Sequence, residues 1–466
     1  MIPLKQLINF RVFVCFQLLL SIETMDSFIA GIIFVGAIIS IMGEWLHLTI
    51  AAFLGALLLI FFHVMTLTEA VNYISRSYAT LALFFGVMVL VRAFEPTKIF
   101  DYLAVKMILM AKGEGKRLLL GIVALTTPIC AVLPNATTVM LLAPLIPPIA
   151  QDIGIDFVPL LILMVFIANS SGLLTLVGDP ATFIVGDAIN ISFVEYLQRL
   201  SIGGALAVVS VVILLPILFR KTWNTKFEHL EDLPHPKINH PRILALGSLI
   251  MVFVLTFFVI GETLPVPISP AAVALLGAAL ALMLAHHSKI DTVNNILRDL
   301  DWSTLIFFMS IFVLIGGLEK TGVISNLSGL LAVILGKNIA LGSILLLVTV
   351  GIISSVVPNI PLVVAMVPLL KQYLVNVGFV GAEVLDPAFN GQFPPEVLPL
   401  FYAMMFGATL GGNGTLVGAS SNIVAAGISE LHGRTISFKT FLHYGIPVMA
   451  VQIFVAMLYV TFAFLI

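Results

Sequence analysis

The chain has 466 residues, of which 60% are hydrophobic and 10% charged, with a mean hydropathy of +1.15 and a formal net charge of −2. A soluble domain carries roughly 45–50% apolar and 25% charged residues, so the composition is that of an all-α, multi-pass membrane protein. The near-neutral charge and lack of a basic stripe argue against a nucleic-acid partner, and two cysteines buried in apolar runs, Cys15 and Cys130, argue against a disulfide framework or a zinc site.

Residues 1–24 read either as a short extra helix or as an over-called start. Lys5 and Arg11 precede the short apolar run Val12–Ile22, which lacks a small-residue cleavage site, and Met25 is an alternative start. The stretch 25–219 then holds apolar runs at Phe28–Gly43, Leu48–Met65, Leu81–Val91, Leu118–Val132, Phe157–Ala168 and Ile202–Phe219. Segment 220–242 is the one long charged connection; Arg220, Lys221, Lys226, Lys237 and Arg242 mark it as a cytoplasmic loop. Beyond it, 243–466 carries runs at Ile243–Ile260, Ala271–Ala285, Leu305–Ile315, Ile339–Val356 and Val448–Phe464. Several approach the ~20 residues that span a bilayer. Others are cut by Gly and Pro, and such breaks must be buried in protein or line a cavity.

The two halves repeat one another. Glu95 and Glu319, Asn135 and Asn359, and Pro144 and Pro368 are all separated by 224 residues (359 − 135 = 224). A third pair, Ala168–Gly186 (ANSSGLLTLVGDPATFIVG) and Ala408–Gly427 (ATLGGNGTLVGASSNIVAAG), shares Thr-Leu-Val-Gly at an offset of 240 (415 − 175 = 240), so the second half has a longer loop within Gly378–Val397.

Each half breaks twice. At Pro134-Asn135 and Pro358-Asn359 an apolar run stops and restarts with residues suited to a helix N-terminus. Each reads as a helical hairpin whose tip ends inside the membrane. Its restarted helix turns unpaired N–H groups and a positive dipole end, worth roughly half an elementary charge, toward the midplane, where they suit an anion. The glycine-rich breaks Gly172–Asp179 and Gly411–Ser420 interleave Thr175 or Asn413, Thr415 and Ser420, and unwound carbonyls and hydroxyls at that depth suit a dehydrated cation such as Na⁺. A single such break reads as an ordinary kink; two matched pairs read as one repeated site. Asp179 is the strongest charged candidate, because an intramembrane acid is costly, and it also fits an N-cap ahead of Pro180. Glu95 and Glu319 fit helix ends at the interface, Arg92 fits a salt bridge or snorkelling, and no histidine pair has metal-binding spacing.

These motifs resemble the ion transporter superfamily of citrate-type permeases, arsenite permeases, the melanosomal P protein and one branch of sodium/proton antiporters. The most specific part, Gly411–Gly433 (GGNGTLVGASSNIVAAGISELHG), together with Leu176-Val-Gly-Asp-Pro, is closest to the citrate-permease and P-protein subgroup. The resemblance implies two inverted structural repeats, each with a re-entrant helical hairpin and a broken transmembrane helix, an elevator-like motion and a homodimer. It places substrate or ion binding at Asn135, Thr137, Thr138 and Asn359 in the hairpins, at Thr175, Gly178 and Asp179 in the first broken helix, and at Asn413, Gly414, Thr415, Ser420, Ser421 and Asn422 in the second. The chain departs from the pattern at Pro134 and Pro358, where related branches carry Asp or Ser, at Leu173 and Leu174, where small residues are usual, and at Thr182, where Asn is usual.

The expected function is ion-coupled secondary active transport of a small anion or oxyanion of the citrate or arsenite type, with a sodium/proton-type cation antiporter as the alternative and an anion channel behind it. Na⁺ or H⁺ is the expected coupling ion, with Na⁺ at the same residues, and no other cofactor or metal is expected. No GxxxxGK[ST] loop is present, so ATP would act only through a separate ATPase subunit. No nucleophile–base pair or intramembrane metal cluster supports an enzyme. The expected setting is the cell's inner or plasma membrane.

Overall fold

The computed structural model describes residues 25–43, 45–227, 238–386, 389 and 391–465. The reading of residues 1–24, the surroundings of Cys15 and the middle of segment 220–242 lie outside these. Among the described residues the fold is helical and carries no strand.

The first half contains α1 (Met25–Met42), α2 (Leu48–Phe61), α3 (Leu67–Arg76), α4 (Tyr78–Phe94), α5 (Ile99–Met110), α6 (Gly115–Cys130), α7 (Asn135–Leu142), α8 (Ile146–Asp152), α9 (Val158–Ser171), α10 (Pro180–Ala188), α11 (Phe193–Arg199), α12 (Ser201–Leu218) and the short α13 (Arg220–Asn224). The second contains α14 (Pro241–Ile260), α15 (Pro270–Ser288), α16 (Val293–Arg298), α17 (Trp302–Lys320), α18 (Val323–Leu335), α19 (Ile339–Ser354), α20 (Asn359–Val377), α21 (Leu398–Gly411), α22 (Ser420–Leu431) and α23 (Phe438–Val460).

The repeat is wider than the motifs alone indicate. Helix α6 superposes in sequence on α19, and α7 on the start of α20, at the 224-residue offset; α9 and α10 match α21 and α22 at 240. Upstream, α1–α5 correspond in order to α14–α18. Eight helices among the described residues are long and apolar enough to cross a bilayer, while Val158–Ser171 and Leu398–Gly411 are shorter apolar pieces that end at the breaks. In each half the chain crosses by α1, α2, α4, the broken α9–α10 and α12, or by their counterparts, and the hairpin returns to its own side. An odd number of crossings starts the second half on the opposite side, so the repeats are inverted. They also interlock, because α2 packs on α17 and α15 packs on α4.

Local sequence explains where the elements stop. Thr66 and Glu69 form a capping box on the amphipathic α3, with Thr66 N donating to Glu69 Oε2 at 2.7 Å and Glu69 N to Thr66 Oγ1 at 3.2 Å. The two hairpin prolines differ: Pro144 forces a 3-10 turn between α7 and α8, whereas Pro368 sits inside a continuous α20. Gly407 lets α21 lie against α19, since a Cβ there would meet Leu347 O at 2.6 Å. The longer loop of the second half does fall between α20 and α21, where it includes a 3-10 turn at Ala382–Leu385.

Gly115 N donates to Thr225 O at 2.9 Å and Phe227 N to Gly113 O at 2.9 Å, so Lys112–Arg117 and Arg220–Lys226 share one face of the protein. Following the chain from there puts Lys98, Lys289, Arg298, Arg434 and Lys439 on this basic face, against Arg76, Arg199, Lys320 and Lys337 on the other. Arg92, near the basic end of α4, reaches Asp299 at 2.7 Å, Asp291 at 3.1 Å and Glu95 at 3.3 Å and so ties the first repeat to the α16–α17 turn of the second. Arg298 and Arg92 together hold Asp299 below the usual carboxylate range. The lysine and arginine bias predicts that the basic face is cytoplasmic. Cysteines placed at Lys289 and Arg434 should be shielded from impermeant reagents added outside cells, and one at Lys337 should react; the reverse pattern overturns the assignment.

Candidate functional site

The four breaks converge. The hairpin tips, residues 131–134 and 355–358, meet the unwound segments 172–179 and 412–419 of the two broken helices. Equivalent bonds hold each tip in place: Thr175 Oγ1 donates to Ala131 O and Thr415 Oγ1 donates to Ser355 O. Gly178 lies so close that a Cβ would come within 2.6 Å of Cys130 O, and its counterpart Gly418 lies against Ser354 O in the same way, at 3.1 Å.

Unwinding a helix in the membrane frees carbonyls that lipid cannot satisfy. In the first half Tyr196 OH donates to Leu173 O at 2.9 Å and Ser201 Oγ to Leu174 O at 2.5 Å. In the second, Asn422 Nδ2 donates to Gly412 O at 2.8 Å and to Thr415 O at 2.9 Å. The halves therefore differ as Leu173 and Leu174 foreshadow: one break is satisfied from α11 and α12, the other from its own restarted helix.

Asp179 is fully buried and is the one acidic side chain buried among the described residues. It caps α10 through Thr182 N at 3.4 Å, and its carboxylate also accepts from Thr182 Oγ1 (3.4 Å), Thr409 Oγ1 (3.2 Å), Asn135 Nδ2 (3.3 Å) and Asn359 Nδ2 (3.4 Å). It joins both hairpin tips and both broken helices. Beside it, Asn169 Oδ1 accepts from Asn135 Nδ2 (3.1 Å) and Ser421 Oγ (2.6 Å), while Asn169 Nδ2 donates to Asn413 Oδ1 (2.9 Å) and Asn422 Oδ1 (3.1 Å). Asn413 Nδ2 continues to Gln452 Oε1 at 2.8 Å, and Gln452 Nε2 to Ser170 Oγ at 2.7 Å.

Asn135, Asp179, Asn359, Asn413, Ser421 and Asn422 thus belong to one buried network. Thr175, Thr415 and Gly178 pin the tips, and Gly414 packs at the second tip, where a Cβ would meet Ser355 at 2.8 Å. Thr138 is buried beneath the first tip beside the Cys130 thiol. Thr137 and Ser420 line a cavity of about 40 Å³ that also touches Asn135 and Asn359. Sequence reasoning did not single out Asn169, Thr409 or Gln452. Asn169 and Thr409 stand at the 240-residue offset in otherwise apolar helices, a paired polar signal; Gln452 has none.

The cavity lies between these tips and the frame helices α2, α4 and α17, reaching Asp301 and Thr304 toward the basic face. On the opposite face a vestibule of about 580 Å³ is lined by Arg76, Asp187, Glu319 and Lys371. An aromatic layer separates the two spaces. Phe84 of α4 meets Phe183 of α10 edge-on at 6.3 Å and Phe308 of α17 at 5.5 Å. On α4, Thr80 lines the vestibule and Met88 the cavity; on α10, Asp187 lines the vestibule and Pro180 the cavity.

Comparison with known proteins agrees with this architecture. Residues 38–389 match the citrate transporter family. A transporter of Synechocystis sp. is 74% identical over 428 residues, covering 92% of this chain and 95% of that protein. A transporter of Mycobacterium tuberculosis is 29% identical, covering 93% and 97%, and the human P protein is 28% identical, covering 95% of this chain and 60% of its own length. The crystal structure of the Alcanivorax borkumensis YdaH transporter superposes with a TM-score of 0.56 at 12% identity over 84% of this chain and 86% of that one, a likeness of fold. Its inverted repeats, its broken helices and the match across most of its length make this chain a membrane transporter of the citrate transporter family.

Proposed function

We propose that the chain is an ion-coupled secondary active transporter of a small anion or oxyanion. One observation carries the reading: two symmetry-related pairs of broken elements meet at a single cavity, where α7, α20 and α22 present N-termini without a side-chain cap while α10 is capped by Asp179. First-turn N–H groups have no intrahelical acceptor, so such ends favour a negatively charged or strongly polar ligand. Na⁺ or H⁺ supplies the drive, with the break carbonyls or Asp179 as the coupling element. The cavity's position between tips and frame helices fits a motion in which the tips and broken helices travel together past α1–α5 and α14–α18, in a homodimer. The buried carboxylate favours cation/proton antiport as the second reading.

Counterflow in proteoliposomes against citrate, sulfate, arsenite, silicate, chloride and Na⁺ tests the proposal. Saturable exchange of one anion or oxyanion, dependent on Na⁺ or pH, is expected; non-saturating conductance would make the protein a channel. Asn135→Ala and Asn359→Ala should each reduce transport. Each removes a donor from the buried Asp179 carboxylate, at a cost of about 1–3 kcal/mol. Asn135→Ala should be the more damaging because Asn135 also bonds Asn169. Wild-type transport by both would reduce the tips to structural kinks.

A further inference from the structure

A separate polar cavity of about 100 Å³ lies on the face opposite the basic one, where the end of α10, the helix α11, residues 392–395 and the start of α21 meet. It shares no lining residue with the cavity at the hairpin tips. At ~30 Å³ per water it has room for a few waters or one small ion. Tyr402 of α21 is 1% exposed, and its hydroxyl has no hydrogen-bond partner among the described residues. A buried hydroxyl left unpaired is costly, so this one calls for a partner in the cavity. The Arg199 guanidinium stands beside it on the cavity wall without reaching hydrogen-bond geometry.

Arg199 pairs with Glu195 one turn earlier on α11, Nε to Oε1 at 3.2 Å, and the rest of its fork is open to the cavity. A guanidinium only donates, and the phenol beside it can donate as well. Helix α21 also begins here without a side-chain cap, with Leu398 on the cavity wall, so its positive dipole end adds to the same polarity. What the cavity lacks is an acceptor. Glu195 offsets part of the guanidinium charge, which suits a ligand with a single negative charge, and the planar fork matches a carboxylate-shaped one. The walls lead to both breaks. On α11, Tyr196 OH holds Leu173 O of the first break at 2.9 Å, and on α21, Thr409, about two turns beyond Tyr402, donates to Asp179 at 3.2 Å.

We propose that this cavity is a second binding site, for a small singly charged anion of the carboxylate type that accepts from the Arg199 guanidinium and the Tyr402 hydroxyl. The bound ion clamps α11 to α21 and so stiffens the supports of both breaks without entering the cavity at the hairpin tips.

The test is thermal unfolding of the purified full chain in nanodiscs at pH 7, in formate against the bulkier gluconate, with Na⁺ and ionic strength held equal. Formate should raise the unfolding temperature saturably, and gluconate should not. Tyr402→Phe keeps the ring against Phe464 and removes the unpaired hydroxyl, so in gluconate it should unfold no earlier than the unmutated protein. It should raise the half-saturating formate concentration about tenfold, for one lost hydrogen bond to a charged group. Arg199→Gln should abolish the formate effect, and Asn135→Ala, at the hairpin tip, should leave it in place. Equal protection of the Tyr402→Phe protein, or protection lost in Asn135→Ala and kept in Arg199→Gln, would put the ion elsewhere and overturn the assignment. No difference between formate and gluconate would leave the cavity to water and overturn it as well.

Discussion

Transport by an Asp179→Asn protein is expected to lose its dependence on pH and on the coupling ion while the protein still folds and inserts. The carboxylate accepts hydrogen bonds from four side chains and one backbone N–H, drawn from both hairpins and both broken helices. Asparagine keeps the size and one acceptor oxygen, and can still cap α10. The hydroxyls of Thr182 and Thr409 can turn to accept from its new NH₂ group. The fold should therefore lose only about 1–3 kcal/mol, the cost of an imperfectly paired buried polar group. What cannot be replaced is the titratable charge, since no second acid is buried among the described residues. Proton-linked coupling through the four breaks has no other carboxylate to carry it among the described residues, because Pro134 and Pro358 at the hairpin tips bear no titratable group. Uptake by Asp179→Asn proteoliposomes across a pH series and with Na⁺ withdrawn decides it. Unchanged profiles would make the carboxylate a helix cap alone.

From the face opposite the basic one, an impermeant thiol reagent is expected to modify a cysteine at the half-buried, vestibule-lining Ala79 and to spare one at the buried Met88, one side and the other of the Phe84–Phe183–Phe308 layer. Phe84→Ala should make the Met88 cysteine reactive from that face, because it removes the ring that both partners contact. Such a truncation costs about 3–5 kcal/mol in a packed interior, so unaltered labelling at Ala79 serves as the control for folding. Cys130→Ala and Cys15→Ala give the thiol-free background. Labelling of Met88→Cys before the ring is removed would show that the aromatic layer is no barrier.

Much of the fold is legible in the sequence because membrane insertion is governed by local composition. Runs such as Ile243–Ile260 must be helical in lipid, and the equal spacing of Asn135 to Asn359 and Glu95 to Glu319 exposes the duplication. The breaks are legible for the same reason: Pro134, Pro358 and the glycines of 172–178 and 411–418 leave backbone groups that need a protein environment. Arg92 could be read as salt-bridged, but its partners Asp291 and Asp299 come from the other repeat and no local pattern identifies them.

The sequence by itself determined that this is an all-helical, duplicated membrane protein with polar breaks at matched depths, since hydropathy, helix-breaking residues and repeat offset are properties of neighbouring residues. The tertiary structure alone decided which polar atoms meet. Thr175 and Thr415 fit ion ligands by sequence alone, and it is the fold that commits their hydroxyl hydrogens to Ala131 O and Ser355 O. Asn169, Thr409 and Gln452 drew no notice among their apolar neighbours, yet they complete a network that spans both repeats. Hydrogen bonds between residues more than 200 positions apart depend on how inverted repeats interlock, and a buried polar group finds its partner only once that packing exists.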